Sequence, residues 1–189
     1  MNSEFIISEC QVIAENFQKL KASAPAIVEA ARVCSEAIRN GGKVLFCGNG
    51  GSAADAQHLA AELVGRYEME RPAMSALALT TDTSILTSVS NDYGYDDVFA
   101  RQVRGLGQSG DVLYAISTSG NSSNVIKAML AAHERGMKVI AVTGATGGRM
   151  KDFCDLLLNV PATRTNHVQE MHIAIGHMIC GIVERLIQE

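Results

Sequence analysis

The sequence predicts an α/β domain, a five-stranded parallel sheet covered by helices on both faces, with two extra helices ahead of the first strand. Three observations point there. Five short apolar runs, near Val44–Cys47, Ser75–Leu79, Val112–Ile116, Lys138–Val142 and Asp155–Val160, read as strands, each separated from the next by a segment long enough for a crossover helix. Two of those runs lead directly into turns rich in glycine or hydroxyl residues. With 189 residues, 47% of them hydrophobic, the chain can bury one sizeable core, and nothing in it marks a second domain. A single domain over 1–189 is expected, with N-terminal helices in 1–40 and the α/β core over 43–189.

Residues Glu4–Lys21 and Pro25–Arg39 carry helical spacing; Pro25 is pre-set for a first turn, and Asn40-Gly41-Gly42 is a stop. The first strand then runs into Cys47-Gly48-Asn49-Gly50-Gly51-Ser52 and a helical pattern from Ser52 to Arg66. A glycine-rich turn at a helix N-terminus brings backbone close to a ligand, and the unpaired N–H groups and helix dipole favour an anion. The spacing is neither G-x-G-x-x-G, since Ala53 follows Ser52, nor a Walker A loop, since no Gly-Lys-Ser/Thr follows. A phosphate-bearing ligand other than a dinucleotide or nucleoside triphosphate is expected.

The third strand leads into Ser117-Thr118-Ser119-Gly120-Asn121-Ser122 and a helical pattern through Val125, Ile126, Met129 and Leu130. Hydroxyls clustered at a helix start suit a phosphate cradle, although Ser122 alone would serve as an ordinary N-cap. Both turns follow strand C-termini, where open α/β sheets place ligands, so they should face one pocket. Thr165–Gln188 reads as one long helix, apolar nearly all round through Met171, Ile173, Ile175, Met178, Ile179, Ile182, Val183 and Leu186. Such a helix calls for burial, in part against another subunit.

The net charge of −4 and the scattered Lys and Arg residues give no polyanion footprint, so no direct nucleic-acid binding is expected. No apolar run reaches membrane-spanning length and the N-terminus does not read as a leader, so a soluble, cytoplasmic protein is expected. Five cysteines with no C-x-x-C pair fit reduced thiols rather than a disulfide framework or zinc knuckle.

Chemistry must come from titratable groups near the turns. His58 and Glu62 share one helix face, with Asp55 a turn before and Arg66 a turn after. Taken alone, such a pair is ordinarily a solvated face. The C-terminal helix carries Gln169, Glu170, His172 and His177 as polar insertions; buried polar groups need partners, and a ligand or metal is one way to supply them. His172 reads as packing or interface. Gln169 and His177 are about 80° out of line on an ideal helix, so they fit the two ends of a shared ligand better than a tight chelate.

Cys47 to His58 with Glu62, Leu79-Thr80-Thr81-Asp82-Thr83, Asn91-Asp92-Tyr93-Gly94, Ser117 to Ser122 and Val168-Gln169-Glu170-Met171-His172 together resemble the phosphoheptose isomerases, which are sugar-isomerase (SIS) domain proteins. The similarity runs from end to end. It implies a three-layer SIS-type domain, a homotetramer, one zinc ion per subunit, and conversion of sedoheptulose 7-phosphate to D-glycero-D-manno-heptose 7-phosphate, the first step toward the heptose of bacterial surface glycans. It further implies phosphate binding at Ser117, Thr118, Ser119 and Ser122, substrate contacts at Asn49, Gly50, Gly51, Ser52, Asn91, Asp92 and Gln169, catalysis by Glu62 and His177, and zinc ligation by His58, Glu62, Gln169 and His177. One departure is His167-Val168 in place of Arg or Lys followed by Ile, with Asn166 ahead of it.

Two other classes fit an SIS-type fold: a non-enzymatic partner of the replication initiator, and a sugar-phosphate sensor. The relative of the first kind has lost the catalytic Glu and His, whereas Glu62 and His177 are present here. A dinucleotide-dependent oxidoreductase would use Asp82 as ribose acceptor, but Asp82 lies more than thirty residues after Gly48 rather than about twenty.

Overall fold

A computed structural model describes residues 3–188. Helix α1 (Ser3–Leu20) and helix α2 (Ala24–Arg39) precede strand β1 (Val44–Cys47). Pro25 occupies the first turn of α2, and Gly41 follows its C-cap at φ +80°. Then come α3 (Gly51–Val64), β2 (Ala76–Ala78), α4 (Thr83–Tyr93), α5 (Val98–Leu106), β3 (Val112–Ser117), α6 (Ser123–Glu134), β4 (Lys138–Thr143), β5 (Leu156–Asn159) and α7 (Thr165–Gln188).

All five strands are parallel, in the order β2-β1-β3-β4-β5. Central strand β3 is buried along its whole length, so its side chains split between two cores rather than between core and water. Val112, Tyr114 and Ile116 join Val44 and Phe46 in a core with α2, α3 and α7. Leu113 and Ala115 join Leu45 and Cys47 in a second core with α5 and α6. The sheet is thus the middle of three layers, as the sequence predicts.

Two crossovers differ from a simple strand-helix repeat. Between β2 and β3 the chain forms two helices, α4 and α5. Between β4 and β5 it forms only a 3-10 stretch, Gly148–Phe153. The reason is local: Gly147 and Gly148 take φ +74° and +53°, which interrupts any α-helical run there.

Helix α7 packs on both α2 and α3. At the α3 crossing, a Cβ on Gly176 would collide with the Leu59 side chain, which is itself 1% exposed. The helices meet closely because position 176 has no side chain. His172, also on α7, is buried; burial pushes its pKa down to about 4, against the opposing pull of the Thr143 backbone. It packs as a neutral ring, in line with its reading as a packing residue. Among the described residues no helix is long and apolar enough to cross a membrane.

Replacing Gly176 with Leu should cost about 1–3 kcal/mol of stability, because the added atoms have no space at a closed crossing. Urea denaturation of the two proteins measures this directly; an unchanged midpoint would show that the crossing can open.

Candidate active site

The strand order fixes where a ligand can lie. From β1 the chain turns into α3 on one face of the sheet, and from β3 it turns into α6 on the other, so the two connections diverge and leave a crevice at the strand C-termini. Both predicted turns sit there. They are joined by a reciprocal amide pair: Asn49 Nδ2 donates to Asn124 Oδ1 at 2.9 Å and Asn124 Nδ2 donates to Asn49 Oδ1 at 2.8 Å.

The hydroxyl turn is closed on itself. Ser117 Oγ lies 2.9 Å from Ser122 Oγ and 3.4 Å from Ser119 Oγ, while Ser119 Oγ accepts from the Asn121 N–H at 3.1 Å. Thr118 is tied through its carbonyl, which accepts from the Gly144 N–H at 3.1 Å. Ser122 is the N-cap residue of α6, yet its side chain makes no capping bond. The hydroxyl faces its fellow serines, which removes the capping explanation for it, and the Val125 N–H in the first helical turn donates instead to Asn124 Oδ1 at 2.9 Å. Gly120, at φ +65°, lets the turn press against Gly147, whose carbonyl a Cβ would meet.

In the glycine turn, Gly50 caps α3 with φ 55°, and Ser52 is buried beneath it. Gly51 lies directly under the Gln169 side-chain amide; an added Cβ would fall 2.8 Å from its Cδ. Gln169 on α7 is therefore seated over the N-terminus of α3.

Further along the same two helices, His58 Nε2 lies 3.1 Å from Glu62 Oε1 and 2.9 Å from His177 Nε2. The two imidazoles meet edge to face, with centroids 5.0 Å apart. The donor atoms of His58, Glu62 and His177 all lie within 4.8 Å of one another, a spacing that suits a shared cation. Two imidazoles and a carboxylate can also exchange protons across that gap. Beside them, burial raises the Asp55 carboxyl to about pKa 6, against the pull of His58, and its Oδ2 has no hydrogen-bond partner.

Asn91 and Asp92 stand apart from this cluster. They lie exposed near the end of α4, where Asn91 Nδ2 donates to Asp92 Oδ1 at 2.9 Å. Asp82 is the N-cap of α4, its carboxylate accepting from the Ile85 N–H at 2.9 Å, so a capping role accounts for it. His167, the departure noted in the sequence, is buried between two carboxylates: Nδ1 is 3.0 Å from Glu170 Oε2, and Nε2 is 3.5 Å from Glu9 Oε2 on α1. It ties the first helix to the start of α7.

Asn124 was not singled out by sequence reasoning, although an amide beside Val125 and Ile126 at the start of an apolar helix is a signal of the same kind as His177. Glu184 is another: a carboxylate in the apolar C-terminal helix, fully buried.

Comparisons with known proteins identify the family. Residues 9–144 match the SIS domain family. The chain is 60% identical over 175 residues to a phosphoheptose isomerase of Rhodospirillum rubrum, covering 93% of each chain. It is 55% identical over 183 residues to one of Akkermansia muciniphila, covering 97% of each. The solved structure of the phosphoheptose isomerase from Neisseria gonorrhoeae superposes with a TM-score of 0.92 at 48% identity, over 97% of this chain and 98% of that one. The chain belongs to the phosphoheptose isomerases of the SIS-domain family.

Proposed function

We propose that the crevice between β1 and β3 converts sedoheptulose 7-phosphate to D-glycero-D-manno-heptose 7-phosphate, with Glu62 and His177 as the acid-base pair and Ser117, Thr118, Ser119 and Ser122 as the phosphate cradle. The observation that carries this reading is the meeting of Glu62, His58 and His177 from two helices, one of which begins at the glycine turn that Asn49 and Asn124 bridge to the start of α6.

An aldose-ketose exchange needs one group to move a proton between adjacent carbons and a second to move a proton between their oxygens, through a cis-enediol(ate). Glu62 is the carbon base, since a carboxylate on a helix held by packing can face both carbons without moving. His177 is the oxygen partner, because an imidazole both gives and takes a proton near neutrality. Asn49, Gly50, Gly51 and Ser52 would line the sugar from the glycine turn, and Gln169 from above it. Asn91 and Asp92, solvent-exposed near the end of α4, would contact substrate from that helix.

His58, Glu62 and His177 fit zinc in ligand type and mutual spacing, and Gln169 would be the fourth ligand. When bound there, zinc would supply Lewis-acid polarisation of the substrate's oxygens. A homotetramer in the cytoplasm is part of the same reading. Phe5, Ile6 and Ile7 on α1 and Met178 on α7 are 51%, 60%, 66% and 45% exposed, apolar surface that an assembly would cover. Ile175 is buried within its own chain, so a charge there would test folding rather than assembly.

In steady-state kinetics with sedoheptulose 7-phosphate, Glu62→Gln and His177→Ala should each lower kcat by about two orders of magnitude or more. Ser119→Ala and Ser122→Ala should instead raise KM, each losing about 1 kcal/mol or more of binding. Near-normal kcat in either of the first pair would remove that residue from the chemistry. For the metal, chelator-treated protein should take up one zinc ion per chain in a calorimetric titration, and His58→Ala should weaken uptake by about tenfold or more; unchanged affinity would place the metal elsewhere. For the assembly, light scattering should give four chains per particle, and Ile7→Glu combined with Met178→Glu should yield smaller folded species; a monomeric native protein would refute it.

A further inference from the structure

We propose that the buried ion pair of Arg71 and Glu184, through Tyr67, is the device that positions His177 against Glu62. This rests on the acid-base reading above and assigns the residues that hold that pair in place.

The side chains of Arg71 and Glu184 are 1% and 0% exposed, and Arg71 Nε lies 3.0 Å from Glu184 Oε1. Neither keeps a free polar valence at the contact. Glu184 Oε1 also accepts from the Tyr67 N–H at 2.7 Å, and its Oε2 accepts from the Glu68 and Met69 N–H groups at 2.8 and 3.0 Å. Burial pushes the Glu184 carboxyl up, but those three N–H groups and the Arg71 charge outweigh it and hold the group below the usual range. Arg71 Nη2 donates to the carbonyl of Glu62 itself at 2.7 Å, and Nη1 to those of Leu63 and Gly65 at 2.8 and 3.1 Å. These are carbonyls at the C-terminal end of α3, which lack helical partners.

One side chain therefore finishes the helix that carries His58 and Glu62, and its partner grows from α7, two turns after His177 and on the same side. Between them hangs Tyr67, its backbone bound to Glu184 and its ring stacked on the His177 imidazole, centroids 5.5 Å apart and planes 19° from parallel. The stack limits imidazole rotation about χ2, while the clamp fixes where the stack stands. A buried ion pair gives weak net stabilisation, because desolvation offsets most of the attraction. What it supplies is a unique geometry, here between the two helices whose side chains must meet.

The test uses the full-length protein with sedoheptulose 7-phosphate and four variants. Tyr67→Leu should fold with unchanged melting temperature and KM within a factor of about two, yet lose about tenfold or more in kcat and shift the pH dependence of kcat. Tyr67→Phe, which keeps the ring, should restore both. The double variant Arg71→Met with Glu184→Met, if folded, should show the same kcat loss with KM held. Glu62→Gln serves as the reference for the chemistry. If Glu62→Gln is inactive while Tyr67→Leu keeps native kcat and pH profile, the positioning role is overturned and the acid-base reading stands. If Glu62→Gln is fully active, the acid-base reading fails first. Should the double variant not fold, Tyr67→Leu and Tyr67→Phe decide alone.

Discussion

The close approach of α7 to α3 is the constraint on which the rest of the site depends. It is possible because Gly176 presents no side chain where Leu59 fills the gap, so the helix axes stand nearer than two ordinary side chains would permit. Nearness at that point is what brings His58 Nε2 to within 2.9 Å of His177 Nε2, one residue further along each helix in opposite senses. The same approach seats Gln169 over Gly51. Two contacts between small residues and large ones thus hold both ends of the donor set. The spacing of His58 and His177 thus follows from packing density, which tolerates few alternatives.

The sheet contributes the other half. Its order, β2-β1-β3-β4-β5, parts the connections after β1 and β3 and leaves a crevice whose walls are backbone and hydroxyls rather than charges. The pair of amides Asn49 and Asn124 bridges the walls, tying the glycine turn to the start of α6. A sugar phosphate has its anion at one end and its carbonyl at the other. A neutral, donor-rich pocket at one end and titratable groups near the other match that polarity, and the neutral pocket lets product leave more readily than fixed cations would.

Much of the fold was legible because buried parallel strands are continuous apolar runs, and β1 was predicted with the observed ends. The long C-terminal helix was equally plain. The 3-10 crossover after β4 was not, since its length suited a helix and only the positive φ of Gly147 and Gly148 rules one out. In the site, His58 and Glu62 were visible as one helix face and His177 as a polar insertion, but no periodicity joins residues 119 positions apart; the family resemblance made that link. Ser122 shows a further limit: its N-cap position suits an ordinary capping hydroxyl, and only the surrounding hydroxyls set it apart in the sequence; in the structure its side chain makes no capping bond. Arg71 and Glu184 were missed because an isolated charge looks the same in sequence whether it is solvated or paired across 113 residues.

In the proposed reaction one crevice holds the phosphate on the turn after β3 and the carbonyl carbons between Glu62 and His177. A crystal structure of the Glu62→Gln variant soaked with sedoheptulose 7-phosphate tests this most directly. The phosphate should lie within hydrogen-bond distance of Ser119 and Ser122 Oγ, with C1 and C2 of the sugar beside the residue 62 side chain and the C2 oxygen facing His177. A substrate bound with its phosphate away from that turn, or with C1 and C2 remote from both helices, would contradict it.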